Sequence, residues 1–311
     1  MINFVIKRLL MVIPVIISVS FIVFFIVNLA PGDPARLVVG VEADEETIER
    51  VREELGLNEN IFLRFAKYMF NMLRGDLGTS YYSDKPVMEA YFERFPATMI
   101  LAFWTVVIGM VVSLPLGIIS AVRQYSWIDN FGMVFALLAV SMPNFWLGIL
   151  LILLFSLQLG ILPSGGYQGW YSVIMPAATI GMQMFAVMTR MTRSAMLEVI
   201  RQDYIKTARA KGLSERVVIL KHAFSNALIP IITTIGTMFI SMVCGAVVIE
   251  QVFSWPGVGR LILDAISKRD FPVVIGSVTL TTIVVCVVNL FIDILYGFVD
   301  PRIKASYSNK G

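Results

Sequence analysis

Charge is scarce in this chain. Only 15% of its 311 residues are charged, while 57% are hydrophobic. A soluble domain carries about 25% charged residues. With a mean hydropathy of +0.79, a water-borne globular protein is excluded and an integral membrane protein is expected. Histidine is scarcer still, since His222 stands alone. One histidine gives no basis for a metal cluster or a Ser/His/Asp triad. No G-x-x-x-x-G-K-[ST] loop occurs, so this chain is not expected to hydrolyse ATP. The two cysteines, Cys244 and Cys286, lie in apolar runs outside any CxxC pattern. They read as small core hydrophobes and leave the redox compartment open.

Long apolar runs are what the sequence has in quantity. A spanning helix needs about 20 such residues. Six stretches qualify, at roughly 9–30, 97–121, 131–158, 173–191, 226–249 and 273–298. The first follows Lys7 and Arg8 and resembles a signal peptide in its charge. It is too long for the ~7–15-residue apolar core of a signal and lacks a small-x-small site, so a retained span is expected. The fourth is the most diluted, by Thr179, Gln183 and Thr189. Pro14, Pro115, Pro143, Pro176 and Pro230 lie in or near the spans, which neighbouring helices can tolerate.

Basic residues set orientation. Segment 190–225 holds eight basic residues against three acidic ones. Lys7, Arg8, Arg123 and the tail residues Arg302, Lys304 and Lys310 fall on the same side if there are six spans. Segment 31–96, on the other side, has eight basic and thirteen acidic residues. Both termini of this multi-pass membrane protein are therefore expected in the cytoplasm. Asn289 and Asp293, four residues apart in the last span, could form an ion or proton site. A tie to a basic residue on a neighbouring helix is the simpler reading.

Segment 31–96 is expected to form a helical lobe. Ile48, Val51 and Leu55 repeat at helical spacing before Gly56, and 60–76 has a second amphipathic pattern. Such a lobe can cap the outer face, contact an outside partner, or both. In loop 250–272, Trp255-Pro256-Gly257 signals a turn and Gly257-x-Gly259 permits unusual backbone angles. A short surface helix is expected after it. It could act as a gate or serve as a plain re-entrant connector.

One basic island interrupts the apolar chain, DYIKTARAKGLSERVVILKHAFSNALIP at 203–230. Ile205 and Ala208 give a small apolar face, and Gly212 suits a helix stop. Ser214 suits an N-cap with Glu215 after it. Leu213, Val217, Leu220 and Phe224 then form a stripe. A basic amphipathic segment can lie on anionic lipid. The small residues Thr207, Ala208 and Ala210 instead favour close approach by another protein.

KTARAKG followed by ALIP resembles the cytoplasmic EAA loop of ABC importer permeases. Lys206 and Thr207 replace the first two residues of that pattern, while Ala208 and Gly212 match. PGDPAR (31–36), RMTRSAMLEV (190–199), FSWPGVGR (253–260) and VDPRI (299–303) extend the resemblance along nearly the whole chain. Together they are similar to the B-type permeases of dipeptide, oligopeptide and glutathione importers, a group that shares its motifs with nickel and opine importers. The resemblance implies an all-α type I importer fold. It comprises a first span (1–30), an extracytoplasmic lobe (31–96), a permease core (97–300) with a cytoplasmic loop at 200–225, and a tail (301–311). It also implies the partners: a second homologous permease, two ATP-binding subunits that use ATP and Mg, an extracytoplasmic binding protein, and lipid. No cofactor on this chain and no nucleic-acid partner are implied. Tyr204, Thr207, Ala208, Arg209, Ala210, Gly212 and Leu213 would couple to an ATP-binding subunit. Phe253, Trp255, Pro256, Gly257 and Gly259 would serve an outer gate or docking site. Asn144, Gln183 and Ser241 are pathway candidates. An ion-coupled secondary carrier is the reading from a different class, and the near absence of carboxylates from the other spans argues against it.

Overall fold

The computed structural model describes residues 2–29, 32–40 and 43–299. The expected tail at 301–311, with VDPRI beyond Val299, lies outside the described residues. Helices account for most of the described chain, and its one β-contact is an isolated bridge between Thr79 and Pro86. Five helices are long and apolar enough to cross a membrane, and a bent pair makes up to six.

The chain divides into two compact units. The first holds residues 1–98 and 256–290. Its α1 (Ile2–Leu29) is the first span, with Pro14 inside it. α2 (Pro34–Val39), α3 (Glu45–Glu54) and α4 (Ile61–Leu73) build the lobe. Local chemistry fixes their ends. The Asp44 carboxylate accepts from Thr47 N, and Asn60 Oδ1 accepts from Phe62 N. Gly56 at φ +64 ends α3, with Leu57 N donating to Arg52 O. Ile48 is buried, as its spacing predicts. Phe21 and Phe24 of α1 meet Phe65 of α4 edge-on at 5.2 and 5.6 Å.

α13 (Val258–Lys268) and the first part of α14 (Phe271–Val299) complete this unit. α13 is the expected short helix. Asp270, between them, is buried. It accepts from Ser80 Oγ at 2.5 Å and from Tyr81 N at 3.1 Å, which ties turn 79–86 to the α13–α14 junction. Burial, with Asp270 nearby, pushes the Tyr81 phenol up in pKa. Gly276 packs where a Cβ would lie 2.6 Å from Val87 Cγ1.

The second unit holds residues 99–255 and 291–311. α5 (Val87–Val122) contributes its later turns, followed by α6 (Trp127–Ser141) and α7 (Asn144–Leu151). A π-helical stretch continues α7 through Gln158. α8 (Ile174–Ile200) is the central helix and packs against α6, α7 and α11 (Phe224–Gly245). α9 (Asp203–Ala210) and α10 (Glu215–Val217) lie between α8 and α11, and α12 (Val247–Val252) follows.

The expected third span at 131–158 is bent at its middle. α6 and α7 meet at 100°, so the run is a broken pair and not one straight helix. Pro143 explains the break, because a residue before proline is pushed out of the α region. Met142 accordingly sits at φ −83, ψ 127.

The diluted fourth span proves to be the centre of the bundle. Thr179, Thr189 and Thr192 are all fully buried, facing protein and not lipid. Small residues allow this close packing. A Cβ on Gly117 of α5 would lie 2.7 Å from Thr192 Cβ and 2.9 Å from Thr189 O.

Candidate functional site

The basic island folds into the helix–break–helix that its sequence implies. α9 lies two residues beyond α8, separated by Arg201 and by Gln202 in extended geometry. Thr207 Oγ1 donates to Asp203 O, and Lys206 Nζ contacts Asp203 at 2.8 Å. The Lys206 ammonium holds the Asp203 carboxyl below the usual carboxylate range. Gly212 sits at φ +76, where an L side chain is strained. Its N–H donates to Arg209 O at 2.9 Å, and Lys211 N donates to Thr207 O. Arg209 then clasps Glu215 across the turn, with Nε to Oε2 at 3.1 Å and Nη2 to Oε1 at 2.7 Å. Ser214 has the extended backbone of an N-cap, but its side chain makes no cap bond.

Burial sorts the candidate residues into two groups. Ile205 and Ala208 face inward and join Val218, Ile219 and Ala223 in the core of this unit. Ala208 is thus an inward foothold and not a partner-facing residue. Tyr204, Thr207, Arg209, Ala210, Gly212 and Leu213 are exposed. The stripe of Leu213, Val217, Leu220 and Phe224 is not the buried face. Leu213, Val217 and Leu220 are 40%, 38% and 55% exposed. A π-helical stretch over Val218–Ala223 shifts the phase, so Val218, Ile219, Ala223, Ala227 and Ile231 turn inward. This widened turn has no signal in a 3.6-residue reading. The result is a surface with apolar side chains (Tyr204, Leu213, Val217, Leu220) among cations, on a segment whose own core is already filled.

The 253–260 segment is arranged differently. Phe253 and Trp255 are 1% and 0% exposed, and Gly257 and Gly259 are buried, while Pro256 is half-buried. Trp255 N donates to Glu250 O at 2.7 Å, and its ring meets Tyr167 edge-on at 5.3 Å. Gly166 N donates to Phe253 O at 2.8 Å. The unusual backbone angle belongs to Ser254 at φ +48. Gly257 is extended at φ −95 and does not use the backbone freedom that glycine permits.

The pathway candidates lie on three different helices. Asn144 starts α7 just after the break, and Gln183 is half-buried on α8. Ser241 is exposed on α11, where its hydroxyl donates to Thr237 O at 3.0 Å. Among the described residues no group of three or more His, Cys, Asp or Glu could hold a metal ion.

Two family models match the sequence. Residues 113–305 match the binding-protein-dependent transport system inner membrane component, and residues 1–102 match its N-terminal region. The chain belongs to this family. The chain is 43% identical over 304 residues to the glutathione transport system permease protein GsiC of Escherichia coli O6:H1, covering 98% of this chain and 99% of that protein. The Salmonella paratyphi A counterpart is 42% identical over the same length. Among solved structures, an inward-facing MetNI methionine ABC transporter (native crystal form) matches with a TM-score of 0.55 at 21% identity. It covers 68% of this chain and 97% of that one. An amino acid ABC transporter with histidines matches with a TM-score of 0.54 at 14% identity, covering 67% and 94%. These two likenesses place this permease in the type I importer fold.

Proposed function

We propose that this permease is one half of the membrane channel of an ATP-driven importer for small peptides of the glutathione class. An extracytoplasmic binding protein delivers the substrate. Two ATP-binding subunits, with ATP and Mg, supply the energy, and a second homologous permease completes the channel. This chain does no covalent chemistry of its own. The sequence is close to permeases named for glutathione transport over nearly its full length, which supports the substrate class. The charge asymmetry supports an orientation with both termini and segment 200–225 in the cytoplasm.

The observation that carries the coupling role is the two-faced α9 segment. Ile205 and Ala208 root it in the bundle, while Tyr204, Thr207, Ala210 and Leu213 stay exposed. An ATP-binding subunit gripping that outer face can move the bundle through the inner one. The buried Phe253–Trp255 corner acts as a rigid connector beneath the outer loops and not as a docking surface. Reconstitution tests the whole reading. The permease, its partner permease, the two ATP-binding subunits and the binding protein in proteoliposomes should import labelled glutathione only with ATP. Import of nickel or an opine in preference would overturn the substrate class, and import by this chain alone would overturn the importer.

A further inference from the structure

The second unit contains one charged cluster that the coupling segment does not account for. Asp129 is 1% exposed, in the first turn of α6. Arg193 of α8 grips it with both arms, Nε to Oδ1 at 2.6 Å and Nη2 to Oδ2 at 2.7 Å. Tyr125 N adds a third bond to Oδ2 at 2.9 Å, from a backbone held at φ +63. At the C-cap of α8, Arg201 Nη2 donates to Gln124 Oε1 of the loop before α6 at 3.4 Å. The start of α6, on which Tyr125 N also rests, is therefore tied to α8 at Arg193, and loop 123–126 reaches Arg201 just past the end of α8, from which Gln202 leads into α9.

A buried ion pair is weak evidence for stability, since apolar residues of similar volume often stabilise as well. What a bidentate pair supplies is a fixed direction and distance. We infer that Asp129 and Arg193 are positioning residues for coupling. They lock the start of α6 to the end of α8, so that displacement of α9 moves both helices, and the bent α6–α7 pair with them, as one lever. The inference rests on α9 being the segment an ATP-binding subunit pushes.

The test uses the full complex in nanodiscs and proteoliposomes, with Asp129→Asn, Arg193→Gln and the conservative Arg193→Lys. The inference expects assembled complexes that still hydrolyse ATP but import about 5–150-fold less substrate per ATP, the usual range for loss of coupling between sites. Arg193→Lys should retain an intermediate ratio. Spin labels at Trp127→Cys and Lys211→Cys, in a chain with Cys244 and Cys286 replaced, give a readout independent of transport. The intact pair should give one narrow distance that persists with and without nucleotide, and Asp129→Asn should broaden it. Unchanged distances in the pair variants would overturn the lever. So would uptake, hydrolysis and complex abundance falling in proportion, which is the signature of a merely structural pair. A failure of the α9 reading looks different: the distances still respond to the pair, but substitutions on the outer face of α9 leave transport untouched.

Discussion

Replacing Gly212 isolates backbone strain from packing. Its φ is +76, and nothing lies within 4 Å of the Cβ that a substitution would add. Alanine therefore meets no clash, and its cost is the left-handed backbone alone, about 1–2 kcal/mol. That is a factor of roughly 5–30 in the population of the closed turn. The strain would be relieved by opening the Gly212–Arg209 bond and loosening the Arg209–Glu215 clasp, while the buried roots of α9 stay packed. Asparagine tolerates this backbone region, so import should rank Gly > Asn > Ala > Val, with Leu as poor as Val. The assay is ATP-driven uptake into proteoliposomes, alongside membrane abundance and recovery of the ATP-binding subunit. Abundance should stay near wild type in all variants. Wild-type uptake by Gly212→Val, or Asn no better than Ala, would refute the strain argument.

Other glycines give steric predictions of known sign. A Cβ on Gly165 would lie 2.6 Å from Phe253 O, so Gly165→Ala should destabilise by about 1–3 kcal/mol through overpacking, read as a lower melting temperature in detergent. Gly132→Ala, which meets Leu116 at 3.4 Å, should have a smaller effect in the same assay. Gly117→Ala should separate α5 from α8 and lower yield of folded protein, because Thr192 Cβ and Thr189 O are both under 3 Å away. Asp270→Ala removes the acceptor for Ser80 and Tyr81 and should cost about 1–3 kcal/mol. Limited proteolysis should then cut turn 79–86 faster, with α9 unaffected.

Much of this architecture can be read from the chain. Apolar length placed the spans, and Gly56 and Gly212 marked real helix ends because a left-handed residue is needed at each. Two features resisted. The α6–α7 break follows from Pro143, but proline is tolerated in many spans, so its residue type alone does not separate a kink from a 100° turn. The inward face of 213–231 depends on a π-helical stretch, which displaces the periodicity that a regular helix would show. The Asp129–Arg193 pair was equally hidden. Its members are 64 residues apart in sequence, and each alone reads as an ordinary charge near the end of a span. The Trp-Pro-Gly turn signal says nothing of burial, and packing closes Trp255 off completely.

The central claim is that the outer face of α9 seats an ATP-binding subunit. Single cysteines at Tyr204 and Ala210, in a chain with Cys244 and Cys286 replaced, carry a short photo-crosslinker in the assembled complex. The account predicts crosslinks from both positions to the ATP-binding subunit, with yields that change on adding ATP, and none from Phe62 in α4. Crosslinks from Phe62 to that subunit, or none from Tyr204 and Ala210, would contradict it.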